Sequence, residues 1–243
     1  MEELLFYKEL VPLNLEQHRN HSFKKFDNLS FAADAQSVLL TGSEFAEASK
    51  EYPILFVKTP DNSMMSVALL GFRQGQNLFV DSSGHWDAHY IPAYVRRYPF
   101  VFSEINAEQL VLCFDQGSGR FNTEGDGTRL FDDQGAPSPF VNDILNFLQE
   151  YQTDFHRTQV FVNNLQQFDL FKESNAKITL PSGEDFLLNG IWMVDEAKLA
   201  ALADDKLLQL AKSGELGRIY AHLISLSNIS NFTSLDAKRA AKA

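Results

Sequence analysis

Apolar positions follow two different periods along this chain. Between residues 54 and 114 they fall in short runs separated by turn chemistry. Ile54–Val57 precedes Thr59-Pro-Asp-Asn-Ser63, Ser66–Phe72 precedes Arg73-Gln-Gly-Gln76, and Asn77–Val80 precedes Asp81-Ser-Ser-Gly84. Pro99–Ser103 and Gln109–Phe114 complete the series, and each run has strand length. The connections are too short for parallel crossovers, so the pattern predicts a mainly antiparallel sheet. After Ser138 the spacing changes to three and four, through Val141, Ile144, Leu148, Tyr151, Phe155, Val162 and Leu165, broken only at Thr158. Ser138 can cap a helix that Pro139 opens. About 28 residues at 1.5 Å each predict a helix of roughly 42 Å. Leu145, Phe147, Gln152, Gln159 and Phe161 flank the stripe and make it broad for a two-stranded zipper. The reading is a helix packed on a sheet, with a homodimer seam as the alternative.

Elsewhere the pattern is less regular. Leu4–Leu15 reads as extended, and polar Asn14–Lys25, with His18 and His21, as a solvated segment. Thr41 or Ser43 can cap a helix with Glu44 and Glu47 near its positive end, and Pro53 ends it. Asp115–Pro137 is rich in Gly, Asp, Asn and Ser and reads as a surface loop; the alternating ligands and trailing glutamate of a calcium loop are missing. Ala176–Leu180 and Asp185–Leu188 predict a hairpin around Pro181–Glu184, and Asn189-Gly190 a tight turn into Ile191–Val194. Asp195 caps a helix bearing Leu199, Leu202, Leu207, Leu208 and Leu210, closed by Gly214. Leu216–Phe232 predicts a last amphipathic helix with Ile219, Tyr220, Leu223 and Ile224 on its apolar side, and Asp236–Ala243 a fraying tail. The fold class is therefore α+β, an antiparallel sheet packed with helices. The expected organisation is one domain over residues 1–243, divisible into a sheet-rich part (1–115) and a helix-rich part (138–243).

Composition narrows the function. Of 243 residues 44% are hydrophobic and 21 are Phe, enough for a bulky aromatic core. A net charge of −11 repels phosphate backbones and argues against a nucleic-acid partner. The single cysteine, Cys113, lies in the apolar run Leu110–Phe114 and reads as a buried thiol, leaving no internal disulfide and no cysteine-rich zinc site. No apolar run approaches the roughly 18–20 residues that cross a bilayer, and the first residues lack a signal peptide's basic and apolar regions. The expectation is a soluble, cytoplasmic chain, in which the glycosylation-like triplets at Asn28 and Asn231 carry little weight.

The chemistry concentrates in Gly84–Phe102. No P-loop, dinucleotide glycine motif, nucleophile elbow or His-Glu-x-x-His occurs. His85-Trp-Asp-Ala-His89 offers a partial iron facial triad, with His156 or His222 as third ligand, but it is a two-residue match, and no cofactor is expected. Pro92 opens a short helix over Ile91–Arg97 and Pro99 ends it. Trp86, Asp87, Tyr90, Tyr94, Arg96, Arg97 and Tyr98 are the candidate ligand- or partner-binding residues. They read either as a pocket with a carboxylate or phosphate clamp or as an Asp–Arg pair fastening the helix. Adjacent helical arginines point about 100° apart, so one is expected to pair inward with Asp87 while the other faces out. His222 reads as a packing histidine. The function expected is a binding or accessory protein with a protein partner or small-molecule ligand. The alternative is a non-haem iron or other pocket enzyme with Asp87 or His89 as acid or base.

Four stretches resemble the bacterial SapC family: Phe45-Ala-Glu-Ala with Glu51-Tyr-Pro-Ile, Asn77-Leu-Phe-Val-Asp with Trp86–Phe100, Leu188-Asn-Gly-Ile with Val194–Leu199, and Gly217–Leu226. The likeness spans nearly the whole chain. The family takes its name from proteins associated with a surface layer, and its members tend to be encoded near flavin-dependent halogenases and outer-membrane receptors. The resemblance therefore implies a surface-layer-associated or uptake-associated accessory protein. A permease label that some members carry conflicts with the missing membrane span. The resemblance supplies no catalytic residues, and His85 and His89 depart from the family's usual residues there.

Overall fold

Three antiparallel sheets and a run of helices make up the protein, here a computed structural model that describes residues 4–25, 27–106, 109–179 and 183–240. In chain order the elements are β1 (Leu10–Pro12), α1 (Leu15–His18), β2 (Ser22–Phe23), β3 (Ser37–Leu39), α2 (Phe45–Ala48), β4 (Ile54–Lys58) and β5 (Met64–Leu69). There follow α3 (Ala93–Arg96), β6 (Phe100–Asn106), β7 (Gln109–Asp115), β8 (Phe121–Asn122), β9 (Thr128–Arg129) and α4 (Pro139–Gln167). The chain closes with β10 (Phe171–Thr179), β11 (Asp185–Val194), α5 (Glu196–Ala200), α6 (Asp204–Lys212), α7 (Glu215–Ser225) and α8 (Ile229–Ala240). The fold is α+β, as expected.

The single sheet predicted over residues 54–114 is two. β4 and β5 belong to a five-stranded sheet ordered β10-β11-β4-β5-β3, whereas β6 and β7 pair with β1 in a three-stranded sheet. Asn77–Val80 forms no strand; Val80 makes only an isolated bridge to Trp86. The aromatic stretch that follows separates the two hairpins. β4 buries Ile54, Leu55 and Phe56 in succession, the continuous apolar run of a strand covered on both faces. The C-terminal hairpin joins this sheet through Ile191↔Val57 and Trp192↔Phe56. Its Thr179↔Asp185 end matches the predicted hairpin, whose turn residues 180–182 lie outside the described residues. Asn189-Gly190 is not a turn. Ser174 pairs with Ile191 and Ala176 with Leu188, so the two residues face Asn175 alone and form a bulge, with Gly190 at φ +69°.

The third sheet, β8-β2-β9, corrects two polar readings. Ser22 and His18 are buried rather than solvated, and the Asp115–Pro137 segment buries Asp115, Arg120, Leu130 and Phe131. Short strands with few apolar residues carry no periodicity, but their backbone pairing brings the polar segment inward.

The long helix begins where expected: the Ser138 hydroxyl accepts the Val141 N–H, with Pro139 at the first position. Val141 and Leu148 enter a small core with Phe23, Phe100 and Phe114. Tyr151, Phe161, Val162 and Leu165 enter the larger core around the five-stranded sheet. Each such side chain contributes about 1.5–3 kcal/mol on burial. In α7 the inward positions are Ile219 and His222; Tyr220 and Ile224, expected inside, are 52% and 65% exposed. A buried histidine occupies the place where an apolar residue was sought. Residues 236–240 of the predicted tail continue α8, with Asp236 buried against Arg73, and 241–243 lie outside the described residues. Cys113 is buried, and burial raises its thiol pKa.

Candidate functional site

Residues 84–99 hold little regular structure, so side-chain hydrogen bonds position them. The Val80–Trp86 bridge sets an alternation that turns Trp86 inward and Asp87 outward. Trp86 Nε1 donates to the Tyr52 hydroxyl at 2.9 Å, and that hydroxyl donates to the Tyr90 carbonyl. The single turn of α3 follows Pro92, and the Tyr98–Pro99 peptide beyond it is cis.

Glu44 anchors this segment. Its Oε1 accepts the Tyr90 hydroxyl at 2.8 Å and the Ala93 N–H at 2.7 Å. Its Oε2 accepts the Thr41 N–H at 2.8 Å and the Thr41 hydroxyl at 2.9 Å. Glu44 was expected only as an acid near a helix start; it is also a buried carboxylate with four donors.

The two arginines do point apart, with Arg96 exposed and Arg97 buried. The expected inward pairing with Asp87 is not made, because Asp87 faces solvent. The Arg97 guanidinium lies 4.0 Å from the Tyr94 ring centroid, 5.1 Å from that of Tyr151 and 5.9 Å from that of Tyr7. Its Nε is buried without a hydrogen-bond partner. Three tyrosine faces therefore provide its electrostatic compensation. Burial drives the Tyr7 and Tyr151 phenols well above their ordinary pKa, with the Arg97 charge working in the opposite direction.

Tyr98 points elsewhere. Its hydroxyl donates to Asp115 Oδ2 at 2.8 Å. The other oxygen of this fully buried carboxylate accepts the Glu9 and Gly117 N–H groups. The Tyr98 ring stacks on Phe31, centroids 4.1 Å apart and planes 25° apart. Arg120 extends over both rings, 5.4 Å from Phe31 and 5.7 Å from Tyr98, and donates Nη2 to the Asn28 carbonyl at 2.9 Å. Gly84, at φ +84°, lets the Asp81–Gly84 turn close on Asn28 and Ser30; a Cβ there would stand 2.3 Å from Asn28 Oδ1.

The seven expected residues therefore do not form one site. Tyr98 lines a cleft of about 550 Å³ with Phe6, Lys8, Phe31 and Arg120. Tyr90 and Arg96 line a separate pocket of about 210 Å³ with Glu44, Phe147, Glu150, Tyr151 and Asp154. Trp86, Asp87, Tyr94 and Arg97 line neither. Arg120 and Tyr151 were not singled out from the sequence. Arg120 sits in a stretch read as a surface loop, and its one local signal is the turn-forming Gly119 before it, at φ +71°. His85, Asp87, His89 and His156 are exposed, and among the described residues no three metal-binding side chains converge. Both His222 ring nitrogens are engaged, one by the Val194 N–H and the other by the Ile54 carbonyl, so it is a packing histidine.

The family model for SapC matches residues 13–232, most of the chain and nearly all of both cavity linings. The chain belongs to the SapC family. No curated protein and no solved structure matches it. Among the described residues of this SapC chain, no helix is long and apolar enough to cross a membrane. Phe6 and Lys8, which complete the cleft, lie outside the matched residues, so that wall is the part the SapC match leaves unspoken for.

Proposed function

We propose that this SapC-family chain is a binding protein whose ligand is a small organic anion with a planar ring, held in the cleft beside Tyr98. The carrying observation is Arg120, 8% exposed and laid across the Phe31–Tyr98 stack in the cleft wall. Burial lowers its pKa, and an anion entering the cleft would add a charged contact to the one its guanidinium makes with the Asn28 carbonyl. Lys8 adds a second positive charge against the one carboxylate of the lining, Asp34, and Phe6 and Phe31 supply faces for a ring. Phe6 also adopts φ +84°, a left-handed conformation that costs a side-chain-bearing residue about 1–2 kcal/mol. Strain of that kind concentrates at binding sites. An enzyme using Asp87 or His89 has less support, since both are exposed and line neither cavity. An accessory role, supplying or sequestering the anion for another protein, fits this reading; nothing in the site's chemistry selects a surface layer as the setting.

Calorimetric titration with benzoate, 4-hydroxybenzoate, indole-3-acetate and phenyl phosphate tests the proposal. At least one is expected to bind, and Arg120→Met to weaken it by about tenfold or more, the scale of a lost charged hydrogen bond. Circular dichroism checks that the variant is folded. Failure of every anion to bind, or equal binding by folded Arg120→Met, contradicts the reading.

A further inference from the structure

The pocket on Tyr90 and Arg96 shares no lining residue with the cleft and is built differently. It sets opposite charges facing one cavity without letting them pair. Arg96 uses Nε on the Ile91 carbonyl at 2.9 Å and lies over Phe147 and Tyr90, at 5.2 and 5.8 Å from their centroids. That contact fixes its plane; the guanidinium also reaches the Tyr90 hydroxyl, and among the described residues no carboxylate pairs with it. Glu150, one turn from Phe147 on α4, is exposed and has no partner there either. Asp154, one turn further, takes the Ser43 hydroxyl on one oxygen and stands 3.6 Å from Arg157 with the other. Glu44 cannot hold a ligand cation in this pocket, because four donors already saturate its lone pairs.

Tyr151 lines this pocket and is only 6% exposed, and its unpartnered hydroxyl is closed off from solvent, so the charged side chains are the groups open to an occupant. The cavity is about 210 Å³, so the occupant is small.

We infer that this pocket binds a free α-amino acid as its zwitterion. The carboxylate meets the Arg96 terminal nitrogens, and the ammonium lies between Glu150 and Asp154. The inference is independent of the anion cleft.

Titration of the full chain with the common L-amino acids tests it, alongside the decarboxylated amine and the N-acetylated acid of whichever binds. At least one amino acid is expected to bind, and both analogues to bind about tenfold or more weakly, each having lost one charged contact. Arg96→Gln and Glu150→Gln alter exposed side chains, leave the fold intact, and should each weaken binding by a similar factor. Arg120→Met should leave this binding unchanged, which keeps a failure here distinct from a failure of the cleft. Absence of binding by every amino acid at millimolar concentration, or binding that Arg96→Gln and Glu150→Gln leave intact, overturns the inference. So does equal binding of the amine and the zwitterion, or loss of binding in Arg120→Met.

Discussion

Replacing Glu44 with alanine is expected to destabilise the fold by about 3–4 kcal/mol, near the upper end for a point substitution. The carboxylate joins three parts of the chain: Thr41 before α2, the Tyr90 hydroxyl, and the Ala93 N–H that starts α3. Thr41 and Ala93 are buried, so their N–H groups would lose their acceptor where water is scarce. Each unsatisfied buried donor costs about 1–3 kcal/mol. The neighbouring pocket admits water to the Tyr90 hydroxyl, which keeps the total below a simple sum. Glu44→Gln should cost about half as much, since one amide oxygen survives while the NH₂ opposes a donor. Urea unfolding measures both. A loss below about 1 kcal/mol for Glu44→Ala would show that the anchor is dispensable.

Stability should also fall between about pH 6.5 and pH 4 through His222. This histidine is fully buried, with its ring 5.0 Å from that of Phe56, and burial lowers its pKa to about 4. An unfolded histidine titrates near 6.5. Between those values the unfolded chain binds a proton that the folded chain refuses, so stability increases with pH across the window. The contribution is fully present above pH 6.5, is lost progressively as pH falls, and levels off below about pH 4. At 1.36 kcal/mol per pH unit the loss approaches about 3 kcal/mol. His18 adds in the same direction, its pKa lowered by burial and by His21. Carboxylates held low by hydrogen bonds, such as Asp81 by Ser83, act at more acidic pH. Unfolding free energies at half-unit steps, for wild type and His222→Gln, separate the terms. The variant should be less stable at pH 7.5, having lost two buried hydrogen bonds, and should show a flatter slope between pH 6.5 and 4. Parallel slopes would remove His222 as the cause.

What could be read in advance follows the range of the interactions. The long helix was legible because Ser138, Pro139 and a three-four apolar repeat are local signals that agree. The β4–β5 and C-terminal hairpins were legible for the same reason. The second sheet was not, because β1 and β7 meet from distant parts of the chain and β1 is only three residues long. The direction of the two arginines was readable from helix geometry, but their surroundings were not. Arg97 rests on Tyr7 and Tyr151, and Tyr98 on Phe31 and Asp115, none of them near in sequence to the short helix except through the fold. Local alternation at Trp86–Asp87 would have placed Asp87 outside, had the isolated bridge to Val80 been apparent. The candidate stretch was thus recognisable as important, while its division between two cavities depended on residues supplied from elsewhere.

The central claim is that a ring-bearing anion sits against Arg120, Phe31 and Tyr98. Nuclear magnetic resonance with labelled arginine and aromatic side chains, recorded during titration with the tightest anion found by calorimetry, tests it most directly. Saturable shifts are expected at the Arg120 guanidinium and at the Phe6, Phe31 and Tyr98 rings, with the Arg96 and Arg97 signals unmoved. Shifts centred on Arg96 or Arg97, with Arg120 unchanged, would place the ligand elsewhere and contradict the account.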